Sequence, residues 1–488
     1  MEMDDKKKKK KMKKQQQQSG CGVLVIYRGV FRRNGFWHRR SAKTTSLPQC
    51  GSTTVSGDSS GAPSAVKKKE QQRVMHDQQH ANGMMNGTLV RPCSNSLVGF
   101  GSNGVMGNIV RKRSKEVICR ALPMSLEPEK LKEMGNEEYR KGRFADAVAL
   151  YDRAILIDSG KASYRSNKAA ALIGLGHLLD AVGECKEAVR IDPSYCRAHH
   201  RLANIYLRLG EAEKAIHHYK LSRSEASSEG ISRARALQSH LAKSNEARKL
   251  RDWQTVLKES CSAAAAGSDS APQVFAMQAE ALLKLSKHEE ADSVITNAPK
   301  FDTDASTKFY GSTINAYVLA IQAQVATAAG RFEDAVTAAE RAAQLDRNNR
   351  EICAVLQRIR SVASARLKGN EFFKASKFGE ACIAYGAGLD HDPYNAVLLC
   401  NRAACLSKLN QWEKAIEDCN TALLLRPSYR KARLRRADCN AKLERWEAAI
   451  QDYKVLIHEI PEHKEIVKAL VEAQAQLKKK QCKYISDI

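Results

Sequence analysis

Residues 396–429 read AVLLCNRAACLSKLNQWEKAIEDCNTALLLRPSY, and residues 430–463 read RKARLRRADCNAKLERWEAAIQDYKVLIHEIPEH. Laid over each other and over residues 362–395, they place small residues in the same columns. Gly369, Ala403 and Ala437 form one column, Ala381, Ala415 and Ala449 another, and Pro393, Pro427 and Pro461 close the units. The interval is 34 residues, and it recurs earlier as Gly135, Ala169, Ala203 and as Ala147, Ala181, Ala215. A fixed period of this length marks a repeated supersecondary unit, here two helices joined by a turn. Small residues sit where the two helices approach closely, Tyr151, Tyr219, Tyr385 and Tyr453 fill the gaps, and proline closes the second helix.

Thirty-four residues is the period of the tetratricopeptide repeat. With the first repeat set at Pro128, three units run over 128–161, 162–195 and 196–229. A weaker middle group occupies about 238–271, 272–305 and 316–349, with an insertion around Thr307 to Asn315, and the final three fill 362–395, 396–429 and 430–463. The modules are therefore 128–229, 238–349 and 362–463. Ile466, Leu470, Ala473 and Leu477 then form one apolar stripe ahead of Lys478 to Lys480, the pattern of a capping helix over 464–480. The expected fold is all-α: a superhelix of about nine repeats in two or three modules, with a groove lined by the first helix of each repeat.

Composition narrows the function. Only 6% of the 488 residues are aromatic, and no apolar run approaches the roughly 20 residues of a membrane span. The stretch Val23 to Tyr27 is too short for the apolar part of a secretory signal. An intracellular, cytoplasmic chain is expected, with the nucleus or a membrane surface left open. Fourteen cysteines run from Cys21 to Cys482 without one C-x-x-C pair, so disulfide, zinc or dithiol chemistry is not indicated and no cofactor is expected. The net charge of +26 is concentrated in residues 1–120, where 24 Lys/Arg face 7 Asp/Glu. That segment opens with a lysine tract, Lys6 to Lys14 broken by Met12, and lacks apolar periodicity. It reads as a disordered, basic, low-complexity head. Its few aromatics argue against specific nucleic-acid binding. A basic tail of this kind, or bound partners, could still hold the chain at a membrane surface.

Two other motifs carry little. Gly99, Gly101 and Gly104 spell G-x-G-x-x-G, but no strand pattern precedes them and no helix pattern follows, so a dinucleotide site is not expected. His199–His200 and His217–His218 are neighbours on helices and point apart, so they read as surface or groove residues rather than metal ligands. Nothing suggests an enzyme.

The groove itself is more informative. In the opening repeats Lys132 and Asn136 lie four apart on one face, Asn167 takes the corresponding place in the second repeat, and Arg197 and Arg201 are again four apart in the third. The closing repeats carry Arg366 and Asn370, then Asn401, then Lys431 and Arg435 at the same positions. Three cations and two amides converge in each set. Cations give charge-assisted hydrogen bonds to carboxylates, and amides both donate to and accept from a peptide main chain. An extended peptide ending in a free carboxylate and an acidic side chain fits that chemistry. The middle repeats carry Ala242, Glu246, Met277, Tyr317 and Ile321 instead, a groove in which no anion is expected.

The five-position pattern resembles the dicarboxylate clamp of tetratricopeptide-repeat co-chaperones, which grip the Glu-Glu-Val-Asp tails of the ninety- and seventy-kilodalton heat-shock chaperones. Arginine stands at Arg197 and Arg366 where lysine is more usual in that family. The layout as a whole resembles the plant tetratricopeptide-repeat thioredoxin-like proteins. The stretches that carry this are GNIV at 107–110, GNEEYRKG at 135–142, RAHHRLA at 197–203, GRFEDAVTAAE at 330–340 and CNRAAC at 400–405. That family ends in a thioredoxin-like domain. About 25 residues follow the last repeat here, so no such domain and no redox role is expected. The resemblance implies a scaffold or co-chaperone for client proteins in plant hormone and osmotic-stress signalling. The competing reading is a scaffold that docks internal segments of signalling proteins without chaperones.

Overall fold

The computed structural model describes residues 127–223 and 226–486, and among them the only regular secondary structure is helix. The basic head, the lysine tract, the G-x-G-x-x-G motif and the GNIV stretch lie outside the described residues. The first three helix pairs are α1 (Pro128–Arg140) with α2 (Phe144–Ile157), α3 (Ala162–Gly174) with α4 (Leu178–Ile191), and α5 (Cys196–Arg208) with α6 (Ala212–Leu221). The middle holds α7 (Ala226–Lys249) with α8 (Trp253–Ala265), α9 (Pro272–Lys284) with α10 (His288–Asn297), a short α11 (Thr303–Tyr310), and α12 (Ser312–Ala329) with α13 (Phe332–Leu345). The last three pairs are α14 (Arg350–Lys374) with α15 (Phe378–His391), α16 (Ala396–Lys408) with α17 (Trp412–Leu425), and α18 (Arg430–Lys442) with α19 (Trp446–Glu459). A final helix, α20 (Lys464–Ser486), covers the last pair.

These nine pairs form an all-α solenoid. Each second helix packs between its own first helix and the next one, while the first helices α1, α3, α5 and α7, and again α16 and α18, touch along an inner layer. The core is a chain of small clusters rather than one mass, and alanine at the fixed columns is fully buried throughout. The cap is driven by burial: Ile466 and Ala473 of α20 close over Ala437, Ala449 and Tyr453.

The turn between the two helices follows one rule along the whole stack. It carries one residue with positive φ in every pair: Gly142, Gly176, Gly210, Arg251, Ser286, Gly330, Ser376, Asn410 and Glu444. The left-handed residue lets the chain reverse and satisfies helix-end carbonyls, as where Gly142 N–H donates to Tyr139 O (3.0 Å) and Arg143 N–H to Glu138 O (2.9 Å). Glycine takes this conformation without strain; the arginine, two serines and glutamate at the other turns do not, and asparagine is intermediate.

The two long helices and the insertion depart from the simple period. Helix α7 has 24 residues and α14 has 25, so each begins well before a 34-residue unit would start it. The insertion around Thr307–Asn315 includes the end of α11 and the start of α12. It is held by a helix end: the free carbonyl of Leu209 accepts from Tyr310 Oη (3.2 Å) and Gln273 Nε2 (3.0 Å). Phe309 also stacks on Tyr206 at 6.1 Å between ring centroids. The segment folds because it caps the end of α5.

Candidate functional site

The ten groove residues fall in the two end modules on first helices, and in each module a tyrosine from the second helix organises them. Tyr151 Oη donates to Asn136 Oδ1 at 2.7 Å, and Tyr385 Oη donates to Asn370 Oδ1 at 2.7 Å. Burial pushes both phenols up to about 12, so each remains a donor at neutral pH. With its oxygen occupied, each asparagine is left with its amide N–H groups for a ligand. Asn167 Nδ2 adds a bond of 3.1 Å to the same Asn136 oxygen, joining the amides of two repeats. Asn401 lies one residue from Cys400 on the same helix, half-buried.

The cations are placed as follows. Arg201 Nη1 donates to the carbonyl oxygen of Ser166 at 2.7 Å, and to its hydroxyl; Arg435 Nη1 donates to the carbonyl oxygen of Cys400 at 2.8 Å. Both arginines reach back one repeat and act electrostatically on the organising tyrosine, Arg201 on Tyr151 and Arg435 on Tyr385, where Arg366 joins it. Arg197 and Lys431 are exposed. Arg197 and Arg201 share a cavity of about 360 Å³ with His200 and Asn204.

Two cations meet the protein's own acids. Lys132 is hydrogen-bonded to Glu129 one turn earlier, and that carboxylate also accepts from Tyr164. The Lys132 ammonium, and then the Tyr164 hydroxyl, hold Glu129 below the usual carboxylate range. Arg366 lies over the Phe332 ring (4.7 Å) and 3.4 Å from Glu333, whose side chain is 79% exposed. That second pairing is loose and wet, so it competes weakly.

On three of these helices the residue after a groove residue is a cation that behaves differently. Lys168 bonds Glu184 (2.6 Å), Arg402 makes a two-pronged bond to Asp418 (2.8 and 2.7 Å), and Arg436 does the same to Asp452 (2.7 and 2.6 Å). One residue is about 100° around a helix, so these cations face the second helix of their own repeat and are consumed there. The two faces are thus chemically distinct, one internally paired and the other largely open.

Sequence reasoning treated the four tyrosines as gap-fillers only. Each also bonds a polar residue 15 positions earlier: Tyr151 to Asn136, Tyr219 to Asn204, Tyr385 to Asn370 and Tyr453 to Asp438. That fixed spacing was the available signal. The close fit explains the glycine before two of the amides, since a Cβ on Gly135 would lie 2.6 Å from the Tyr151 ring, and one on Gly369 closer still to Tyr385.

One expectation is corrected. His199 is buried, not a surface residue, and its Nδ1 lies 2.9 Å from Nδ1 of His218 across α5 and α6. Helical neighbours do point apart, but one histidine of each pair turns toward the other pair. The middle groove, in which the repeat positions gave no reason to expect an anion, carries cations from other positions. The clamp-equivalent positions there, Ala242, Glu246, Met277, Tyr317 and Ile321, supply no cation, but Arg251 at a turn, Lys284 on α9 and Arg358 on the extended α14 line a cavity of about 830 Å³ with Tyr317 and Ile321. Comparing equivalent positions alone missed them because they enter from turn and flanking positions.

Family models of the tetratricopeptide repeat match residues 132–195, 184–217 and 396–429. The Arabidopsis thaliana protein named inactive TPR repeat-containing thioredoxin TTL3 is 53% identical over 354 residues, 72% of this chain and 51% of that protein. TTL4 of the same plant, a TPR repeat-containing thioredoxin, is 47% identical over 403 residues, 82% of this chain and 59% of that protein. The chain belongs to the plant TTL group of tetratricopeptide-repeat proteins. It spans just over half the length of these TTL relatives. Among solved structures, the TPR domain of P58(IPK) superposes with a TM-score of 0.50 at 18% identity, covering 72% of this chain and 99% of that one. That likeness fixes the solenoid fold for this TTL chain. Among the described residues no helix is long and apolar enough to cross a membrane, and no group of three His, Cys, Asp or Glu could hold a metal.

Proposed function

We propose that this TTL chain is a protein-interaction scaffold that grips acid-ended C-terminal tails at two sites, one in each end module. The opening site uses Lys132, Asn136, Asn167, Arg197 and Arg201; the closing site uses Arg366, Asn370, Asn401, Lys431 and Arg435. The observation that carries this reading is the duplicated geometry around Tyr151 and Tyr385. In both places a buried phenol fixes an asparagine, and an arginine anchored to the preceding repeat's backbone stands beside it. The solenoid fold requires neither set. Cations beside amides that retain free N–H groups suit a terminal carboxylate plus an acidic side chain, each charged bond contributing about 1.5–3 kcal/mol.

Heat-shock chaperone tails ending in Glu-Glu-Val-Asp are the fitting ligands, and plant signalling proteins are the fitting clients, on the resemblance to co-chaperone and TTL sequences. The closing site is the freer of the two, because Lys431 is exposed and Arg366 meets only a solvated glutamate, whereas Lys132 is paired with Glu129.

The test is titration of the full chain with a labelled Met-Glu-Glu-Val-Asp peptide against the same peptide bearing a C-terminal amide. The free-acid peptide should bind tightly, more weakly at high salt, and more weakly to Lys431→Ala and Arg435→Ala. Equal affinity for the amidated peptide would remove the tail reading and leave a scaffold that docks internal segments.

A further inference from the structure

We propose that the middle repeats hold a third binding site, for an internal acidic segment carrying an apolar side chain, in the cavity between α7, α9, α12 and α14. The cavity measures about 830 Å³, in the upper part of the range of about 300–1,000 Å³ usual for ligand sites. Its chemistry is divided. Trp253, Tyr317 and Ile321 form an apolar wall, while Arg251, Lys284 and Arg358 stand exposed at the rim.

The rim cations are available. The third arginine of the cavity, Arg248, is already spent: it makes a two-pronged bond to the buried Glu280 (2.7 and 3.2 Å) and lies over the Tyr317 ring (4.8 Å), whose hydroxyl donates to the same carboxylate (2.7 Å). That triad neutralises the buried acid and fixes the wall. Lys284 packs over Trp253 at 5.9 Å, and neither Arg251 nor Arg358 has an ion-pair partner among the described residues. Three uncompensated cations face a single exposed acid, Glu351, so the mouth is positive.

Backbone geometry gives a second, independent observation. Arg251 occupies the left-handed turn position with φ +58°, where four of the nine turns carry glycine. A long charged residue held in that conformation is strained, and its side chain lines the cavity rather than solvating the outer surface.

The occupant follows from what the site has and lacks. The equivalent positions supply no asparagine to register a chain end, in contrast with the two end modules, so a tail is not selected. An aromatic and aliphatic wall behind free guanidinium groups selects carboxylates flanking an apolar side chain. The chain's own head is the wrong sign, with 24 Lys/Arg against 7 Asp/Glu in residues 1–120.

The experiment uses the full chain and a fluorescein-labelled peptide, Asp-Glu-Phe-Asp-Glu-Leu, acetylated and amidated so that no free terminus can enter the end sites. Anisotropy should report saturable binding, weakened tenfold or more by Arg358→Glu and by Arg251→Gly, and unchanged by Arg201→Ala or Arg435→Ala. Arg251→Gly is informative because glycine suits the positive φ: its melting temperature should equal or exceed that of the parent while binding falls. No binding to the parent chain, or parental affinity in both rim variants, overturns the proposal. Equal affinity for the Asn/Gln version of the peptide removes the charge requirement and also overturns it. Equal affinity after replacing Phe and Leu by Ser removes the apolar requirement and overturns it as well.

Discussion

The guanidinium of Arg435 stands 2.8 Å from the carbonyl oxygen of Cys400, 35 residues back on the preceding repeat's first helix. The same bond joins Arg201 to Ser166. An arginine fixed to backbone rather than to a carboxylate keeps its full charge, and its remaining N–H groups are already oriented when a ligand arrives. Arg435→Ala is expected to weaken binding of the acid-ended peptide about tenfold or more, corresponding to about 1.5–3 kcal/mol for a charged hydrogen bond. Arg435→Lys keeps the charge but cannot hold the Cys400 carbonyl and a carboxylate in one planar fork, so it should recover only part of the loss. Calorimetric titration of the three chains checks both statements. Full recovery in the lysine variant would reduce Arg435 to a point charge.

Glu333 stands in the way of the closing site. Its carboxylate is 3.4 Å from Arg366 and mostly in water, so a ligand must displace a weak pair. Glu333→Gln should tighten the acid-ended peptide about two- to fivefold at low salt, with the gain fading as ionic strength rises. The corresponding change in the opening module, Glu129→Gln, should behave differently, because Glu129 also anchors Tyr164 across two repeats. It frees Lys132 but loosens α1 from α3, and a lowered melting temperature should accompany any gain. Paired titrations and melts separate the two cases.

How much of this was legible follows from which residues carry which information. The period was readable because the fold constrains side-chain size at fixed columns: Gly369, Ala403 and Ala437 must be small wherever a second helix crosses. The candidate groove residues were readable because they share one helix face and the fold has no need of them. The tyrosine bonds were only partly legible. Their 15-residue spacing to Asn136 and Asn370 is in the sequence, but bulk alone accounts for a buried tyrosine. The backbone contacts of Arg201 and Arg435 leave no mark in residue identity, since any residue supplies a carbonyl. The middle cavity was hidden for a geometric reason. Arg251 enters from a left-handed turn and Arg358 from a helix that outruns its repeat, so neither falls at a position that the 34-residue alignment compares.

The turn rule yields a stability expectation. Glu444 sits at φ +53° between α18 and α19, where three other first-to-second-helix turns of the same period carry Gly142, Gly176 and Gly210. A non-glycine residue there carries a strain of about 1 kcal/mol that glycine relieves, offset in part by the greater freedom of glycine in the unfolded chain. Glu444→Gly should therefore raise stability by a net of about 0.5 kcal/mol at most in chemical denaturation. Gly369→Ala should do the reverse. The added methyl would strike the Tyr385 ring and displace the donor of Asn370, which should cost about 1–3 kcal/mol and weaken the closing site together.

The histidine pair gives the opening module a pH dependence. His199 Nε2 lies 3.0 Å from the Pro193 carbonyl, so that nitrogen carries the proton, and the facing Nδ1 must accept from Nδ1–H of His218. Burial first, then the neighbouring His199, His217 and Lys186, push His218 down to about 4 from an ordinary value of 6.5. The unfolded chain takes up its proton near 6.5 while the folded chain resists until about 4. The stabilising contribution is therefore complete above pH 6.5, falls as pH drops through that window, and levels off below it. Discounted for a half-exposed ring, the loss should be about 1–2 kcal/mol. Denaturation of the parent chain and of His218→Gln at pH 7 and pH 5 measures it. The parent should lose stability between the two values, and the glutamine variant, with no proton to gain at that position, should lose less. Equal losses would place the acid sensitivity elsewhere in the chain.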